Sequence, residues 1–119
     1  MNIAIIGASD KKERYSYKAF ILLQKKGHKV YPVNARLRQI DGVNVFRSIK
    51  DIREKIDAIT LYVNESISES ITEEILEAKP RKIIFNPGAE NEKLLDKARA
   101  SGIEAVNACT LVLAQTNRL

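Results

Sequence analysis

The residues of this chain that could carry chemistry are few, and most of them follow predicted strands. Gly7, Ala8 and Ser9 come directly after a short apolar run, and Lys12 and Arg14 follow within a few residues. Small residues let a ligand approach the backbone, turn amides can cradle a phosphate, and Ser9 adds a hydroxyl donor. This stretch predicts a phosphate-binding loop, with a tight turn and solvated lysines as the alternative.

The loop lacks the GxGxxG fingerprint of NAD- and FAD-binding proteins, because a serine and a lysine occupy the places of the later glycines. After the second strand an NAD site usually has Asp or Glu, which accepts a hydrogen bond from the ribose 2′-hydroxyl. Here Val33 is followed by the neutral Asn34, with Arg36 and Arg38 nearby. This pattern favours an adenosine with an extra ribose phosphate, as in NADP or coenzyme A, and a plain strand-ending turn is the alternative.

Two later strand ends carry residues that could border the same ligand. Val63 and Asn64 follow the central predicted strand, and Pro87 and Gly88 follow the next one. Gly88 permits positive φ values, and Pro87 stiffens the turn. Ligands of open α/β sheets bind beyond the carboxyl ends of the strands, so we expect these residues at the binding cleft, although such turns are also common architecture.

The last predicted strand ends in Asn107, and Cys109 and Thr110 follow it. A nucleophilic cysteine needs a base beside it, and we expect the one histidine, His28, at the opposite end of the sheet. We therefore predict no catalytic dyad or triad and no metal site. Cys109 could line a pocket for a thiol ligand, pack as a small apolar residue, or carry out redox chemistry at a helix N-terminus.

The elements that must position these residues alternate between strand and helix. Predicted strands cover residues 2–6, 29–33, 43–46, 58–63, 82–86 and 104–107. Predicted helices cover residues 15–26, 49–55, a segment that starts at Ser66 or Ser68, 89–101 and 110–115. This alternation predicts an α/β protein. We expect a single Rossmann-like, doubly wound domain over residues 1–119, with a mainly parallel sheet of five or six strands.

Size, composition and charge restrict the functional classes. The 119 residues are 45% hydrophobic and 29% charged, as is usual for one soluble globular domain. The single cysteine excludes an internal disulfide and makes a cytoplasmic location the expectation, and no apolar run is long enough to span a membrane. Residues 1–60 hold thirteen Lys or Arg against six Asp or Glu, which favours an anionic partner or simply a solubilising surface.

Several motifs, in order along almost the whole chain, resemble those of the small stand-alone CoA-binding domain proteins. This YccU-like bacterial family is related to the CoA-binding domain of the succinyl-CoA synthetase α subunit. The matching stretches are Gly7-Ala8-Ser9 with Tyr17, and residues 30–34, 40–42, 48–51, 86–91, 102–103 and 108–112. One departure is Ala35, at a position where the family often has proline.

The resemblance implies a Rossmann-like fold that binds coenzyme A or an acyl-CoA, and it does not imply an enzyme. It implies that the loop after the first strand and nearby basic residues receive phosphates. It also suggests that Val33 and Asn34 lie near the adenosine. Val63 and the turn at Pro87 and Gly88 would then border the pyrophosphate and the pantetheine arm.

Three functions remain as alternatives. The first is a non-catalytic or regulatory module that binds the nucleotide CoA. The second is an NADP-dependent oxidoreductase-like domain, which the missing glycines disfavour. The third is a nucleic-acid or protein interaction module; nucleic acid is disfavoured because only 6% of the residues are aromatic and there is no tryptophan on which bases could stack. A protein partner or a homo-oligomer is compatible with all three.

Overall fold

Strands and helices alternate along residues 1–119, all of which the computed structural model describes. The strands are β1 (Asn2–Ile6), β2 (Lys29–Val33), β3 (Gln39–Ile40), β4 (Val43–Asn44), β5 (Ala58–Leu61), β6 (Lys82–Phe85) and β7 (Glu104–Asn107). The helices are α1 (Tyr15–Lys25), α2 (Glu65–Ser70), α3 (Thr72–Glu77), α4 (Glu92–Ala100) and α5 (Thr110–Gln115). A 3-10 turn, Ile49–Asp51, precedes β5.

The five longer strands form one parallel sheet in the order β2-β1-β5-β6-β7. Strand β1 lies between β2 and β5. The chain therefore places β2 on one side of β1 and then crosses over to place β5, β6 and β7 on the other side. The carboxyl ends of β1 and β5 are therefore the switch point of the sheet, where ligands of such folds bind. The predicted doubly wound parallel sheet is confirmed, with five strands.

The side chains of β1 alternate between two cores, one on each face of the sheet. Ile3 and Ile5 pack in the cluster under α1 and α5, whereas Ala4 and Ile6 pack in the cluster under α3 and α4. All four are at most 4% exposed. Helices on both faces explain why this strand is a continuous apolar run instead of an alternating one.

The predicted strand at 43–46 is confirmed only for residues 43–44, and it lies outside the main sheet. Strands β3 and β4 form a separate antiparallel hairpin around Asp41 and Gly42, whose φ values of 49° and 81° suit a two-residue turn. Phe46 then lies beside the end of β2: its N–H donates to the carbonyl of Pro32 at 2.9 Å, and its carbonyl accepts the N–H of Asn34 at 2.9 Å. These hydrogen bonds place the residues after Phe46 next to the switch point.

The helix predicted to start at Ser66 or Ser68 starts at Glu65, because the side chain of Asn64 caps it. It is then interrupted at Ile71, whose φ of −115° separates α2 from α3. Serine and threonine hydroxyls on either side of this residue bond to backbone carbonyls three and four residues back. Such bonds favour a bend in a helix.

Two other helix predictions need correction. Helix α4 starts at Glu92 instead of residue 89, because Asn91 Oδ1 accepts the N–H of Leu94 at 3.1 Å and so caps the first turn. Residues 49–55 contain only the 3-10 turn, which the hydroxyl of Ser48 caps. All the helices are too short or too polar to cross a bilayer.

Candidate functional site

A cavity of about 520 Å³ opens at the switch point of the sheet. Its walls come from the carboxyl ends of β1, β2 and β5 and from α2 and α3, and we call it the switch-point cavity. Four residues that the sequence predicted as ligand contacts line it, namely Gly7, Val33, Asn34 and Val63. A cavity of this size is within the range of small-molecule sites, which is ~300–1,000 Å³.

Gly7 lies where the loops after β1 and β5 almost touch. Its φ is 90°, and a Cβ at this position would lie 2.9 Å from the carbonyl oxygen of Tyr62 and 2.9 Å from Cγ1 of Val63. Real Cβ atoms do not tolerate such distances, and side chains rarely adopt this φ. Glycine is therefore required here for the close approach of two loops, independently of any ligand.

The backbone amides of the predicted phosphate loop divide into bonded and unbonded groups. The N–H groups of Gly7 and Ala8 both donate to the carbonyl of Val33, at 3.0 and 3.1 Å, so they hold the end of β2. The amides of Ser9 and Asp10 donate to no group of the chain. Helix α1 follows with no side-chain cap and no acidic residue in its first turn. The donors open to an anion thus start at Ser9.

The side chain of Asn34 joins the two loops that border the cavity. Its Nδ2 donates to the carbonyl of Ala8 at 2.8 Å, and its Oδ1 accepts the N–H groups of Arg36 at 2.7 Å and Leu37 at 3.1 Å. Both ends of the amide are therefore used within the protein. The sequence placed Asn34 near an adenosine; the structure makes it a cavity wall that also positions Arg36.

Replacing Asn34 by Asp is expected to lower the free energy of unfolding by about 1–3 kcal/mol. The carboxylate keeps the two contacts to backbone N–H groups but turns an oxygen toward the carbonyl of Ala8, where the amide donated. Urea unfolding measures the change. The matched control is Asn44→Asp, which keeps its one side-chain contact, an acceptor 3.4 Å from Gln39 Nε2. Equal effects of the two changes would contradict a bridging role for Asn34.

Two arginines, Arg36 and Arg47, line the switch-point cavity. With Arg38 they also surround a neighbouring space of about 580 Å³, which we call the arginine recess. The ion pairs of the protein involve other residues, so these three guanidinium groups have no carboxylate partner. Unpaired guanidinium groups beside an apolar cavity are suited to bind phosphate. Sequence analysis missed Arg47, which reaches the site through the pairing of Phe46 with Val33.

Two of the predicted contacts, Lys12 and Tyr17, line a different cavity of about 250 Å³ along α1. The hydroxyl of Tyr17 donates to Asp41 Oδ2 at 2.5 Å, which joins α1 to the β3–β4 turn. This hydrogen bond raises the pKa of Tyr17 above its ordinary value. Arg14 occupies the N-cap position of α1. The structure therefore does not bring Tyr17 to the switch-point cavity.

The remaining predicted contacts follow β5, β6 and β7 and line neither the switch-point cavity nor the arginine recess. Asn64 caps α2, with Oδ1 accepting the N–H of Ile67 at 2.9 Å. Pro87, Gly88 and Asn107 are exposed, and Cys109 is half-buried. The structure thus does not bring the predicted residues after β6 and β7 into the switch-point cavity.

A buried polar network links the ends of β5, β6 and α5. Asn86 is 2% exposed, and its Nδ2 donates to Thr60 Oγ1 at 2.7 Å and to the carbonyl of Leu61 at 2.9 Å. Its Oδ1 accepts the N–H of Thr110 at 2.8 Å, and the hydroxyls of Thr60 and Thr110 lie 2.6 Å apart. Thr110, predicted as a ligand contact, therefore uses its polar groups inside the protein.

The nucleophile and the base found in the sequence lie at opposite ends of the sheet. Cys109 follows the carboxyl end of β7, whereas Nδ1 of His28 is 3.2 Å from the N-terminal amine of Met1, at the amino end of β1. Burial and then the neighbouring N-terminal ammonium lower the pKa of His28. Burial is the main cause that raises the pKa of the nearby Tyr62 hydroxyl to about 12, with a smaller contribution from Cys109. No base able to activate the thiol adjoins it.

Known proteins with similar sequences and structures agree with this architecture. The alpha subunit of acetate–CoA ligase (ADP-forming) II from Pyrococcus furiosus is 36% identical over 73 residues, which are 60% of this chain and 16% of that subunit. The uncharacterized protein YneT of Bacillus subtilis is 27% identical over 100 residues, which are 84% of this chain and 74% of that protein. A crystal structure of an uncharacterized protein superposes with a TM-score of 0.89 at 34% identity, covering 99% of this chain and 97% of the other.

The match to a family extends further than the match to the ligase. The sequence model of the CoA binding domain family aligns with residues 1–115. The last motif on which the resemblance rested ends at residue 112, so all of the motifs lie within the aligned part. The chain therefore belongs to the CoA-binding domain family.

Proposed function

We propose that this domain binds coenzyme A or an acyl-CoA at the carboxyl ends of its strands, as a binding or regulatory module with no reaction of its own. One observation carries the proposal: Arg36 and Arg47, which have no carboxylate partner, line the same switch-point cavity as Gly7 and Val63. CoA combines a purine with phosphate groups, and this cavity combines apolar walls with unpaired guanidinium groups. Membership of the CoA-binding domain family supports the same ligand.

The chemistry of the walls suggests which part of the ligand each would hold. Ile67 is 47% exposed and lines the cavity, and an adenine ring would cover its apolar surface. Arg36 and Arg47 would hold the ribose phosphate. The unbonded amides of Ser9 and Asp10, with Lys12 and Arg14 beyond them, would favour the pyrophosphate. The pantetheine arm would then extend toward Pro87 and Gly88.

Thermal unfolding in the presence of CoA tests the proposal. A ligand that binds only the folded state, at a concentration 100 times its Kd, stabilises it by about 2.7 kcal/mol, which for a domain of this size raises Tm by about 10 °C. Dephospho-CoA, which lacks the ribose phosphate, should raise Tm less. No shift with millimolar CoA, together with a shift caused by NADPH, would overturn the proposal in favour of the oxidoreductase-like alternative.

Variants at the arginines distinguish binding in the cavity from binding elsewhere. Arg36→Ala should weaken CoA about 10-fold or more, since hydrogen bonds to charged groups contribute about 1.5–3 kcal/mol, and should weaken dephospho-CoA much less. Arg53→Ala is the matched control, because Arg53 is exposed and lines neither the cavity nor the recess. An equal loss of CoA affinity in both variants would indicate only a general effect of charge.

A further inference from the structure

Glu74 is an acidic side chain in a cavity that otherwise suits an anion. It lies on α3 and lines the switch-point cavity beside Ile67 and Ile71. Its side chain is 19% exposed. Since a carboxylate repels phosphate groups, this position favours a part of the ligand that carries no negative charge and donates hydrogen bonds.

The charge of the lining changes sign from one part of the cavity to another. The switch-point cavity shares Arg36 and Arg47 with the arginine recess. It shares Ile49 and Glu74 with a separate cavity between the 3-10 turn and α3, which the arginines do not line. Phosphate groups therefore belong toward the recess, and a neutral group belongs toward α3.

The carboxylate of Glu74 is held in place from the segment after Phe46. Ser48 Oγ donates to Oε2 at 3.2 Å, and Nζ of Lys50 lies 3.9 Å from the same oxygen. Ser48 Oγ is itself held by the N–H of Lys50 at 3.2 Å. Both side-chain contacts of Glu74 use Oε2, so Oε1 has its lone pairs available for a ligand.

We propose that Glu74 recognises the base of the ligand, with Oε1 accepting an N–H of the exocyclic amine of adenine. The inference rests on the proposed binding of CoA and adds a specificity-determining residue to it. Ile67 and Ile71 supply an apolar surface for the ring. A base with a carbonyl in place of this amine would set two acceptors against each other, so the site selects adenine over hypoxanthine.

Calorimetric titration with CoA and with its deaminated form, in which hypoxanthine replaces adenine, tests this selection. The wild-type domain is expected to bind CoA about 10- to 100-fold more tightly than the deaminated form. Glu74→Gln presents an amide that can accept from adenine or donate to hypoxanthine. Its preference for CoA is therefore expected to fall to about three-fold or less.

Glu73→Gln is the matched control, because it removes the same charge from an exposed neighbour that does not line the cavity. It should keep the wild-type preference. The ratio of two affinities is insensitive to a general loss of stability, which weakens both ligands alike. Equal wild-type affinities for the two ligands, or an unchanged ratio in Glu74→Gln, would overturn the role of Glu74 and leave CoA binding intact. Failure of the wild type to bind CoA would overturn both proposals.

Discussion

Gly7→Ala is expected to lower the free energy of unfolding by about 3–5 kcal/mol and to eliminate measurable CoA binding. Two costs combine at this position. The φ of 90° is strained for any side chain, and the new Cβ would lie 2.9 Å from the Tyr62 carbonyl oxygen and from Val63 Cγ1. The loops after β1 and β5 must separate to relieve this contact, and that movement distorts the cavity between them. Urea unfolding and CoA titration measure the two effects.

Gly27→Ala separates the cost of backbone strain from the cost of crowding. Gly27 has nearly the same φ, 89°, but a Cβ there would meet no atom within 4 Å. It follows α1 at the amino end of β2, away from the cavity. Its replacement should cost only about 1–2 kcal/mol and leave CoA affinity unchanged. If the two variants lost the same stability, the close approach at Gly7 would have no energetic importance.

The sequence sufficed to predict the sheet because its strands carry their own signal. Each central strand is buried on both faces, so β1, β5 and β6 consist mostly of apolar residues that do not alternate with polar ones. The placement of Gly7 and Val63 at one cleft followed from the rule for strand ends. Both line the switch-point cavity.

The partners of individual side chains could not be predicted in the same way. Asn34 is a neutral residue where NAD sites have an acid, yet its amide bonds to the backbone of Ala8 and Arg36. An asparagine side chain can hydrogen-bond equally well to a ligand or to the backbone of a loop. Only the positions of the neighbouring backbone groups distinguish the two roles. Arg47 was missed because a backbone pairing thirteen residues apart in the chain, Val33 with Phe46, brings it to the site.

Helix boundaries depended on hydrogen bonds that the periodic pattern does not reveal. The isoleucines at 67, 71 and 75 fit one continuous helix, but Ile71 separates two short ones. This interruption matters for the site, since Ile71 and Glu74 both line the cavity. A wall of the cavity is therefore formed by a segment whose pattern indicated only an ordinary amphipathic helix.

Asn86→Ala is expected to lower the free energy of unfolding by about 3–4 kcal/mol, which corresponds to a fall in Tm of about 10–15 °C. Three hydrogen bonds of a fully buried amide disappear. The N–H of Thr110 then has no acceptor. Alanine also leaves a void beside Thr60, whose hydroxyl loses the hydrogen bond from Asn86 Nδ2. Thermal unfolding and urea titration measure the loss.

Asn107→Ala is the control for this change, because Asn107 pairs with Phe85 in the neighbouring strand but is exposed and makes no side-chain hydrogen bond. Its stability should change by about 0.5 kcal/mol or less. A double-mutant cycle of Asn86→Ala with Thr60→Val should give a coupling of about 0.5–3 kcal/mol, since each change removes a partner of the other. Additive effects would show that the two side chains stabilise the fold independently. Strong coupling would show that one buried network fixes the ends of β5 and β6 and the start of α5 relative to one another, and with them the carboxyl edge that the ligand is proposed to follow.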